Sequence, residues 1–532
     1  MRDDDNVEQK QFINPHHQIY KRTKMSNQNR FEVPKPLHRS KPPSIVETNS
    51  TKTNSFETKK YRGRWSWTDF FSLFYLPRYD GPYNVGTLTL ELPIPDSIPR
   101  PVPALLRLKK PLNAPAFELT NSLTTIYYPT ESARTSTTTR IKWITLSQIK
   151  GYLKFACLSL FKCIIAIPIA ILMTWNIRLP TIGNAPLAIS SKGKRQVIFF
   201  CHGLTGNRTC YSQYCGQLAS RGYVVVAIEH RDRSGAHSII NSKPNIQLNY
   251  IDMEDLTDQT RPPNYLIARA YQLEIRVYEL LAACQLLGKF NDINGWKEIK
   301  DSNVRIKGSS GYFGDDGSNW STQQWKTFSE NIEWNQDLIL AGHSFGSATI
   351  LAAKRYPNSP KEWKKLIVLD PWMETLEYWP KTALKLNSEK FINVPLLVIN
   401  SPGFSLWYSH FNKLFNYLNS RESQTWFFTI NGIIHSSFSD LPIIFERLWK
   451  LKGQLKLSSQ IGLDIIIKSS IEFIEFNLSS DLEPNEIISV NDEIVVDDEI
   501  QLNKVLSEKL PGKLIWHVKN PIDKLIDEKE EE

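Results

Sequence analysis

The chain has 532 residues, 41% hydrophobic and 22% charged, which is typical of a soluble globular protein and indicates no function by itself. The net charge of +9 does not indicate a nucleic-acid-binding protein, because Lys and Arg outnumber Asp and Glu by 14 to 7 before residue 65 and no basic patch with interleaved aromatic residues follows. Six cysteines are too sparse for a disulfide scaffold and lack the paired spacing of metal ligands, so free thiols are expected.

The two ends of the chain differ in charge from its middle. Residues 1–64 are rich in Asn, Lys, Ser, Thr and Pro and poor in apolar periodicity, so a disordered basic tail is predicted. Such a tail could attract anionic lipid. No apolar stretch lies near Met1, which argues against a cleaved secretory signal and favours an intracellular, cytoplasmic protein. Residues 65–480 are predicted to form one catalytic domain, and residues 481–532 an acidic, largely solvated C-terminal tail, in which Ile-Val pairs allow a short strand.

The most apolar segment of the chain is predicted as a helix over residues 148–175. Its uninterrupted apolar run covers 13 residues, from Cys163 to Trp175, whereas a spanning helix needs about 20. Three interpretations stay open: a buried or lid helix, a helix lying in the membrane interface, and a single-pass anchor over residues 153–175.

Strand patterns flank this segment. Residues 87–92 and 126–128 precede it, and continuous apolar runs follow at residues 196–200, 223–228, 338–341, 365–369, 395–400 and 426–430. Continuous runs separated by helical stretches indicate a parallel sheet that is covered on both faces. The sequence therefore predicts an α/β protein with a mostly parallel, doubly wound sheet, flanking helices and disordered termini, and a site in the loops at the strand C-termini.

The sequence Gly-His-Ser-Phe-Gly at residues 342–346 lies between one of these strands and a plausible helix. This context is that of a nucleophile elbow, in which the serine sits on a strained turn and glycines avoid collision with neighbouring backbone. Ser344 is therefore the candidate nucleophile of an α/β-hydrolase. The competing interpretation is a chance match in an ordinary turn.

A serine hydroxyl needs a base and an orienting acid, which in this fold follow the serine in the order acid, then histidine. Asp370 ends the next strand and is the preferred acid, although an aspartate before Pro371 could equally cap a helix. Of the later histidines, His435 follows the last core strand and is the candidate base, while His410 and His517 suit packed or solvated positions.

The oxyanion of an acyl-transfer reaction is stabilised in this fold by two backbone N–H groups. One belongs to the residue after the nucleophile, here Phe345. The other comes from the loop after an earlier strand, which points to Leu204 in His202-Gly203-Leu204, although His-Gly alone is also compatible with a simple turn. No metal or cofactor is required by this chemistry.

Several motifs in family order resemble the platelet-activating-factor acetylhydrolases, which are calcium-independent phospholipases A2. Beyond the residues above, they are Gly-Pro-Tyr-Asn-Val-Gly at 81–86, Glu-His-Arg-Asp-Arg-Ser at 229–234, Leu-Asp-Pro-Trp-Met at 369–373, and Phe438 and Asp440 after His435. The string at 229–234 is the motif that best distinguishes this family from general lipases, which rarely carry it. We expect this string to brace the site through charge pairs. The chain departs from the family at Ser347, where a second glycine is usual, and its extra termini suggest a fungal-like form.

The resemblance implies a serine esterase that hydrolyses the sn-2 acetyl, short or oxidised acyl ester of phospholipids with Ser344, Asp370 and His435, assisted by the Leu204 and Phe345 amides. It also implies that the apolar segment helps the enzyme to lie on a lipid surface. Two alternatives remain at this point: a broader carboxylesterase or lipase, and a membrane-associated lipid-binding protein without turnover.

Overall fold

A computed structural model describes part of the chain. The described residues are 75–98, 106–109, 115–117, 119–133, 140–155, 160–174, 176–240, 246–252, 255–258, 265–292, 294–295, 297–298, 305–307, 321–356, 360, 362–377, 394–419, 423–453, 455–476, 494–495 and 511–518. The predicted N-terminal tail, residues 1–64, lies outside the described residues, as does most of the predicted C-terminal tail.

The described residues form seventeen strands, eight of which lie on the strand patterns and apolar runs of the sequence. In chain order they are β1 (Asn84–Pro93), β2 (Leu106–Leu108), β3 (Asn121–Thr130), β4 (Ile182–Gly183), β5 (Arg195–Cys201), β6 (Val224–Glu229), β7 (His237–Ile240), β8 (Ile246–Asn249), β9 (Leu256–Asp258), β10 (Arg305–Lys307), β11 (Ile332–Glu333), β12 (Leu338–His343), β13 (Trp363–Leu369), β14 (Leu396–Asn400), β15 (Thr425–Ile430), β16 (Ile494–Val495) and β17 (Leu514–Val518).

Among the described residues, thirteen strands form one sheet, in the order β10-β1-β3-β6-β5-β12-β13-β14-β15-β17-β16, with β4 and β11 attached to β1 and β5. Strands β6, β5, β12, β13, β14 and β15 are parallel neighbours, whereas β3 joins β6 and β1 in antiparallel fashion. The carboxyl ends of the six parallel strands therefore meet at one edge of the sheet, where ligand sites of such sheets lie.

The helices are α1 (Leu146–Phe155), α2 (Leu160–Thr174), α3 (Ser212–Ser220), α4 (Tyr265–Gly288), α5 (Thr322–Glu330), α6 (Phe345–Arg355), α7 (Glu374–Glu377), α8 (Pro402–Ser405), α9 (Tyr408–Asn419), α10 (Leu441–Ile444), α11 (Glu446–Leu451) and α12 (Ser459–Glu475).

The sheet is covered on both faces. Along β5, Val197 and Phe199 belong to one buried core with residues of α4, α6 and α9, whereas Ile198 and Phe200 belong to a second core with residues of α3 and α12. Successive side chains of a strand point to opposite faces, so a continuous apolar run is what a doubly covered strand requires. The chain thus has the predicted α/β-hydrolase architecture.

The segment predicted as one helix over 148–175 comprises two helices, α1 and α2, on either side of residues 156–159, which lie outside the described residues. The single-pass anchor considered for residues 153–175 finds no counterpart here: none of the described helices combines the length and the apolar character needed to cross a membrane.

The sheet extends beyond the predicted domain boundary at residue 480. Within the predicted acidic tail, Leu514–Val518 forms β17, which pairs antiparallel with β15, and Ile494–Val495 forms β16, which pairs parallel with β17. Strand β16 lies on one of the Ile-Val pairs for which the sequence allows a short strand, whereas β17 has no counterpart among the predicted strands.

Candidate active site

Ser344 occupies a turn between β12 and α6. Its backbone angles are φ 57° and ψ −115°, a conformation that residues other than glycine rarely adopt. Two hydrogen bonds hold the turn against the next strand: the Ser344 N–H donates to the Leu369 carbonyl at 2.8 Å, and the Trp372 N–H donates to the Ser344 carbonyl at 3.2 Å. The candidate nucleophile is thus fixed to the residues on both sides of Asp370.

The two glycines of the turn are required by close backbone contact. A Cβ atom on Gly346 would lie 2.0 Å from the carbonyl oxygen of Cys201 at the end of β5, and one on Gly342 would lie 2.5 Å from the carbonyl of Gly346. Any side chain at either position would push α6 away from the sheet.

Ser347, the residue that departs from the family pattern, contributes a hydroxyl to this turn. Its Oγ donates to the Gly342 carbonyl at 2.6 Å and accepts the N–H of Leu369 at 3.0 Å. The hydroxyl therefore joins the start of α6 to the ends of both β12 and β13.

Asp370 and His435 form a hydrogen-bonded pair. His435 Nδ1 lies 2.8 Å from Asp370 Oδ2, and the Asp370 carboxyl also accepts the N–H of Ser401 at 2.6 Å and its hydroxyl at 2.5 Å. Because an ionised carboxyl group can only accept hydrogen bonds, Nδ1 of His435 is the donor in this pair, and in the neutral ring Nε2 is left as the acceptor. An imidazole in that state can accept a proton from a hydroxyl.

The His435 ring is held between aromatic rings while its side chain stays 24% exposed. Phe404 stacks on it with 4.4 Å between ring centroids and 6° between planes, and the His343 ring lies 4.4 Å away on a tilted plane. His343 itself is buried, and its Nδ1 lies 2.8 Å from the hydroxyl of Tyr211. Burial is the main cause that holds the pKa of His343 well below its usual value, and the nearby His435 lowers this pKa further. His343 therefore stays neutral.

Asp440 anchors the loop that carries His435. Its carboxyl accepts bonds from the Ser212 N–H and hydroxyl, the Gln213 N–H and the Trp143 indole, at 2.7 to 3.1 Å. These donors lie at the start of α3 and before α1. Burial raises the pKa of Asp440 to about 7, an effect that the donated hydrogen bonds oppose.

Leu204 lies in a tight turn after β5. The Gly206 N–H donates to the Gly203 carbonyl at 3.0 Å, and Thr205, at φ 61°, donates its N–H to the Ser234 carbonyl at 2.8 Å. Phe345 is the first residue of α6, so its N–H has no acceptor within the helix. Strands β5 and β12 are parallel neighbours, and they bring both candidate oxyanion residues to the same edge of the sheet.

The string at 229–234 contributes buried ion pairs at Arg231 and Asp232, in keeping with the bracing role that the sequence suggested. Arg231 pairs with Glu91 at 2.8 Å, and Asp232 pairs with Arg276 at 2.8 Å. His230 Nδ1 lies 2.8 Å from Glu279 Oε2, and because burial holds the pKa of His230 well below its usual value, this contact is a hydrogen bond of a neutral ring. The sequence offers no motif for the partners on α4. Four polar residues of α4 recur at helical spacing and form a stripe along one face of the helix: Arg269, Gln272, Arg276 and Glu279. Such a stripe ordinarily indicates a solvent-exposed helix face, but here all four side chains are buried.

The two other histidines after Asp370 lie outside this pair. His410 is buried on α9, with Nε2 against the Pro371 carbonyl at 2.5 Å, and burial lowers its pKa to about 4. His517 is on β17, and its Nε2 lies 2.8 Å from the hydroxyl of Thr429. Both occupy packed positions.

One group in the described part of the chain has the spacing for a metal ion. His343, Asp370 and His435 offer ligand atoms within 4.8 Å of one another. The bond between Asp370 and His435 and that between His343 and Tyr211 already engage atoms of all three side chains.

Comparison with known proteins identifies relatives of the whole site region. The family model described as platelet-activating factor acetylhydrolase, isoform II, matches residues 69–494. A putative phospholipase A2 of Schizosaccharomyces pombe is 26% identical over 451 residues, which cover 77% of this chain and 93% of that protein. A platelet-activating factor acetylhydrolase of Gallus gallus is 28% identical over 57% of this chain and 66% of its own.

Among solved structures, a ferulic acid esterase from Streptomyces cinnamoneus is similar with a TM-score of 0.49 and 15% identity. The alignment covers 77% of this chain and 95% of the esterase.

Proposed function

The chain belongs to the platelet-activating factor acetylhydrolase isoform II family, and from this premise we propose that it hydrolyses the sn-2 acyl ester of phospholipids through a Ser344-His435-Asp370 triad. At the coarser level the family and the relatives make it a carboxylic ester hydrolase of the phospholipid acetylhydrolase kind. The preferred substrate is a phospholipid with an acetyl, short or oxidised sn-2 chain, such as 1-alkyl-2-acetylglycerophosphocholine.

One observation carries the mechanism. The strained turn at Ser344 and the hydrogen bond of 2.8 Å between His435 and Asp370 belong to neighbouring loops at one sheet edge, joined by the bond from the Ser344 N–H to Leu369. A serine on such a turn and a histidine oriented by a buried carboxylate are the two parts that nucleophilic ester cleavage needs.

In the proposed reaction, His435 Nε2 takes the hydroxyl proton as Ser344 Oγ attacks the ester carbonyl. The backbone N–H groups of Leu204 and Phe345 stabilise the oxyanion. The lysophospholipid leaves with the proton from His435, and a water molecule deprotonated by His435 then releases the acid from the acyl-serine. Asp370 keeps the proton on Nδ1 throughout.

The mechanism is tested with a fluorophosphonate probe and with 1-alkyl-2-acetylglycerophosphocholine. We expect the probe to modify Ser344, located by peptide mass mapping, and Ser344→Ala to lose both labelling and turnover. Ser97→Ala, an exposed serine bonded to Gln285, serves as the control and should behave like the wild type. Undiminished hydrolysis by Ser344→Ala would remove the triad from the proposal, and a wild type that binds phospholipid vesicles without hydrolysis would favour the lipid-binding alternative.

The acyl preference is tested by comparing acetyl, oxidised and long-chain sn-2 phospholipids at equal enzyme concentration. A kcat/KM that falls with chain length supports the acetylhydrolase assignment. Equal rates on all three, together with rapid hydrolysis of simple carboxylic esters, would favour the broader carboxylesterase.

We also propose that α2 contacts the lipid surface. Its exposed side chains include Leu172 at 84% and Ile164 at 63%, together with Ile165 and Ile169, a larger apolar exposure than isolated surface residues give. The substitution Leu172→Glu should reduce co-flotation with phosphatidylcholine vesicles, whereas Ile189→Glu, which changes a residue 65% exposed before the amino end of β5, should not. Equal flotation of the wild type and Leu172→Glu would contradict this contact.

A further inference from the structure

Arg276 lies in the middle of α4, and its guanidinium group is fully buried. A buried guanidinium needs partners for its five N–H groups, and its planar fork fixes where these partners lie. The partners come from two loops of the candidate site, the one after β5 and the one after β6.

The guanidinium donates three hydrogen bonds. Nη1 donates to the His202 carbonyl at 2.7 Å, Nε to Asp232 Oδ2 at 2.8 Å, and Nη2 to the Ser234 hydroxyl at 2.6 Å. The Ser234 hydroxyl in turn lies 2.5 Å from Asp232 Oδ1. The cation is therefore neutralised by one carboxylate and connected to both ends of the turn that contains Leu204.

The turn that contains Leu204 is held on both sides of this residue, by the bond from Arg276 to His202 and by a bond from Thr205 to Ser234. His202 precedes Leu204 by two residues, and the following residue, Thr205, donates its N–H to the Ser234 carbonyl at 2.8 Å. A shift of the guanidinium would therefore move the turn at both of its attachments. Because Leu204 sits between them, its N–H direction follows the position of the guanidinium.

The second oxyanion candidate also contacts Arg276. The guanidinium carbon lies 4.3 Å from the centroid of the Phe345 ring, within the range of a cation–π contact. Phe345 begins α6 and supplies the N–H next to Ser344. The Arg276 guanidinium thus contacts both the turn that contains the Leu204 amide and the start of α6, which carries the Phe345 amide.

We propose that Arg276 is a positioning residue that fixes the spacing between the Leu204 and Phe345 amides, an inference that rests on the proposed esterase function. Arg276 makes its bonds to the protein, so it acts on the reaction through these two amides. Donor nitrogens must lie about 2.7–3.1 Å from the position of the oxyanion, so a small displacement of one amide weakens stabilisation of the transition state more than binding of the substrate.

The test compares two buried arginines, one beside the candidate site and one at the opposite edge of the sheet. Arg276→Lys keeps the charge but loses the fork, and Arg195→Lys makes the same change at the amino end of β5, where Arg195 bonds to the carbonyls of Ala188 and Gly222. Both variants should lower the melting temperature. Only Arg276→Lys should lower kcat per fluorophosphonate-titrated active site, by about 100-fold with KM within about threefold, and it should weaken binding of a trifluoromethyl ketone analogue by a similar factor.

A milder variant covers the case in which Arg276→Lys does not fold. Ser234→Ala removes the acceptor of Nη2 together with the donor to Asp232 Oδ1, and it leaves the carbonyl that holds Thr205, so we expect kcat to fall about fivefold at unchanged KM. Full kcat in Ser234→Ala, or equal kcat in Arg276→Lys and Arg195→Lys beside an active wild type, overturns the inference alone. A wild type without esterase activity overturns the proposed function and this inference with it.

Discussion

The contact between Gly346 and the end of β5 gives the sharpest prediction of the structure. In Gly346→Ala the new Cβ would lie 2.0 Å from the Cys201 carbonyl oxygen, whereas ordinary contact begins near 3.4 Å. The start of α6 must therefore move by about 1.4 Å, since the obstacle is strand backbone, which yields far less readily than a side chain. This shift would carry the Phe345 amide away from Leu204.

The expected consequence is a loss of catalysis that exceeds the loss of stability. A displacement of about 1 Å in a catalytic group costs on the order of 100-fold in rate, and loss of one oxyanion donor costs about 100- to 1,000-fold in kcat. We expect Gly346→Ala to hydrolyse 1-alkyl-2-acetylglycerophosphocholine at least about 100-fold more slowly than the wild type, with a smaller change in KM.

The assay measures kcat per folded molecule, with circular dichroism and a urea titration to establish the folded fraction. Gly462→Ala is the matched control, because a Cβ at that helical position meets only the Ile433 methyl group at 2.9 Å and a Leu457 methyl group at 3.6 Å. A folded Gly346→Ala enzyme with kcat within twofold of the wild type would refute the argument that this glycine sets the position of α6.

Three further predictions concern the pair and its surroundings. Asp370→Asn should keep the fold and lower kcat by about 10⁴-fold at pH 8, since the amide no longer holds the proton on His435 Nδ1; a fall under tenfold would contradict the role of the carboxylate. Phe404→Ala should lower kcat up to about tenfold through loss of a stack worth about 0.5–1.5 kcal/mol, and steady-state kinetics with an unchanged kcat would refute it. Because burial lowers the pKa of His410 to about 4, the unfolded chain binds a proton between pH 6.5 and 4 that the folded chain does not. The contribution of His410 to the free energy of unfolding should therefore fall by about 3 kcal/mol as the pH is lowered over that range. The variant His410→Gln can still donate a hydrogen bond to Pro371 but does not titrate. Urea titrations at pH 7 and pH 4 should therefore show a smaller loss of unfolding free energy in this variant than in the wild type.

Much of the fold could be predicted from the sequence because the central strands are buried on both faces. The run at 196–200 has no polar residue after Gln196, and the structure assigns its side chains to two cores in alternation. Strand β3 was predicted over three residues and covers ten, because its threonines, which read as polar, are buried against β1 and β6. The polar appearance of these threonines therefore hid most of β3 from prediction.

The candidate site, too, could be predicted from the sequence only in part. The turn at Ser344 and the order of Asp370 and His435 follow from local sequence and strand order, and both lie where the sequence predicts, at the carboxyl ends of parallel strands. The surrounding support does not follow from local sequence. Phe404 and Arg276 are distant along the chain from the groups they contact, and an arginine on a helix reads as solvent-exposed until the partner of its charge is known.

The pairing of β17 with β15 also bears on synthesis of the chain. Leu514, the first residue of β17, lies 84 residues after Ile430, the last residue of β15. At about 5 to 20 residues per second, a ribosome takes roughly 4 to 17 s to cover that distance. During this interval β15, with its aromatic sequence Trp-Phe-Phe, presents an unpaired edge to other nascent chains. Synthesis on crowded polysomes should therefore favour aggregation at this edge, and chaperone demand should fall once β17 has emerged.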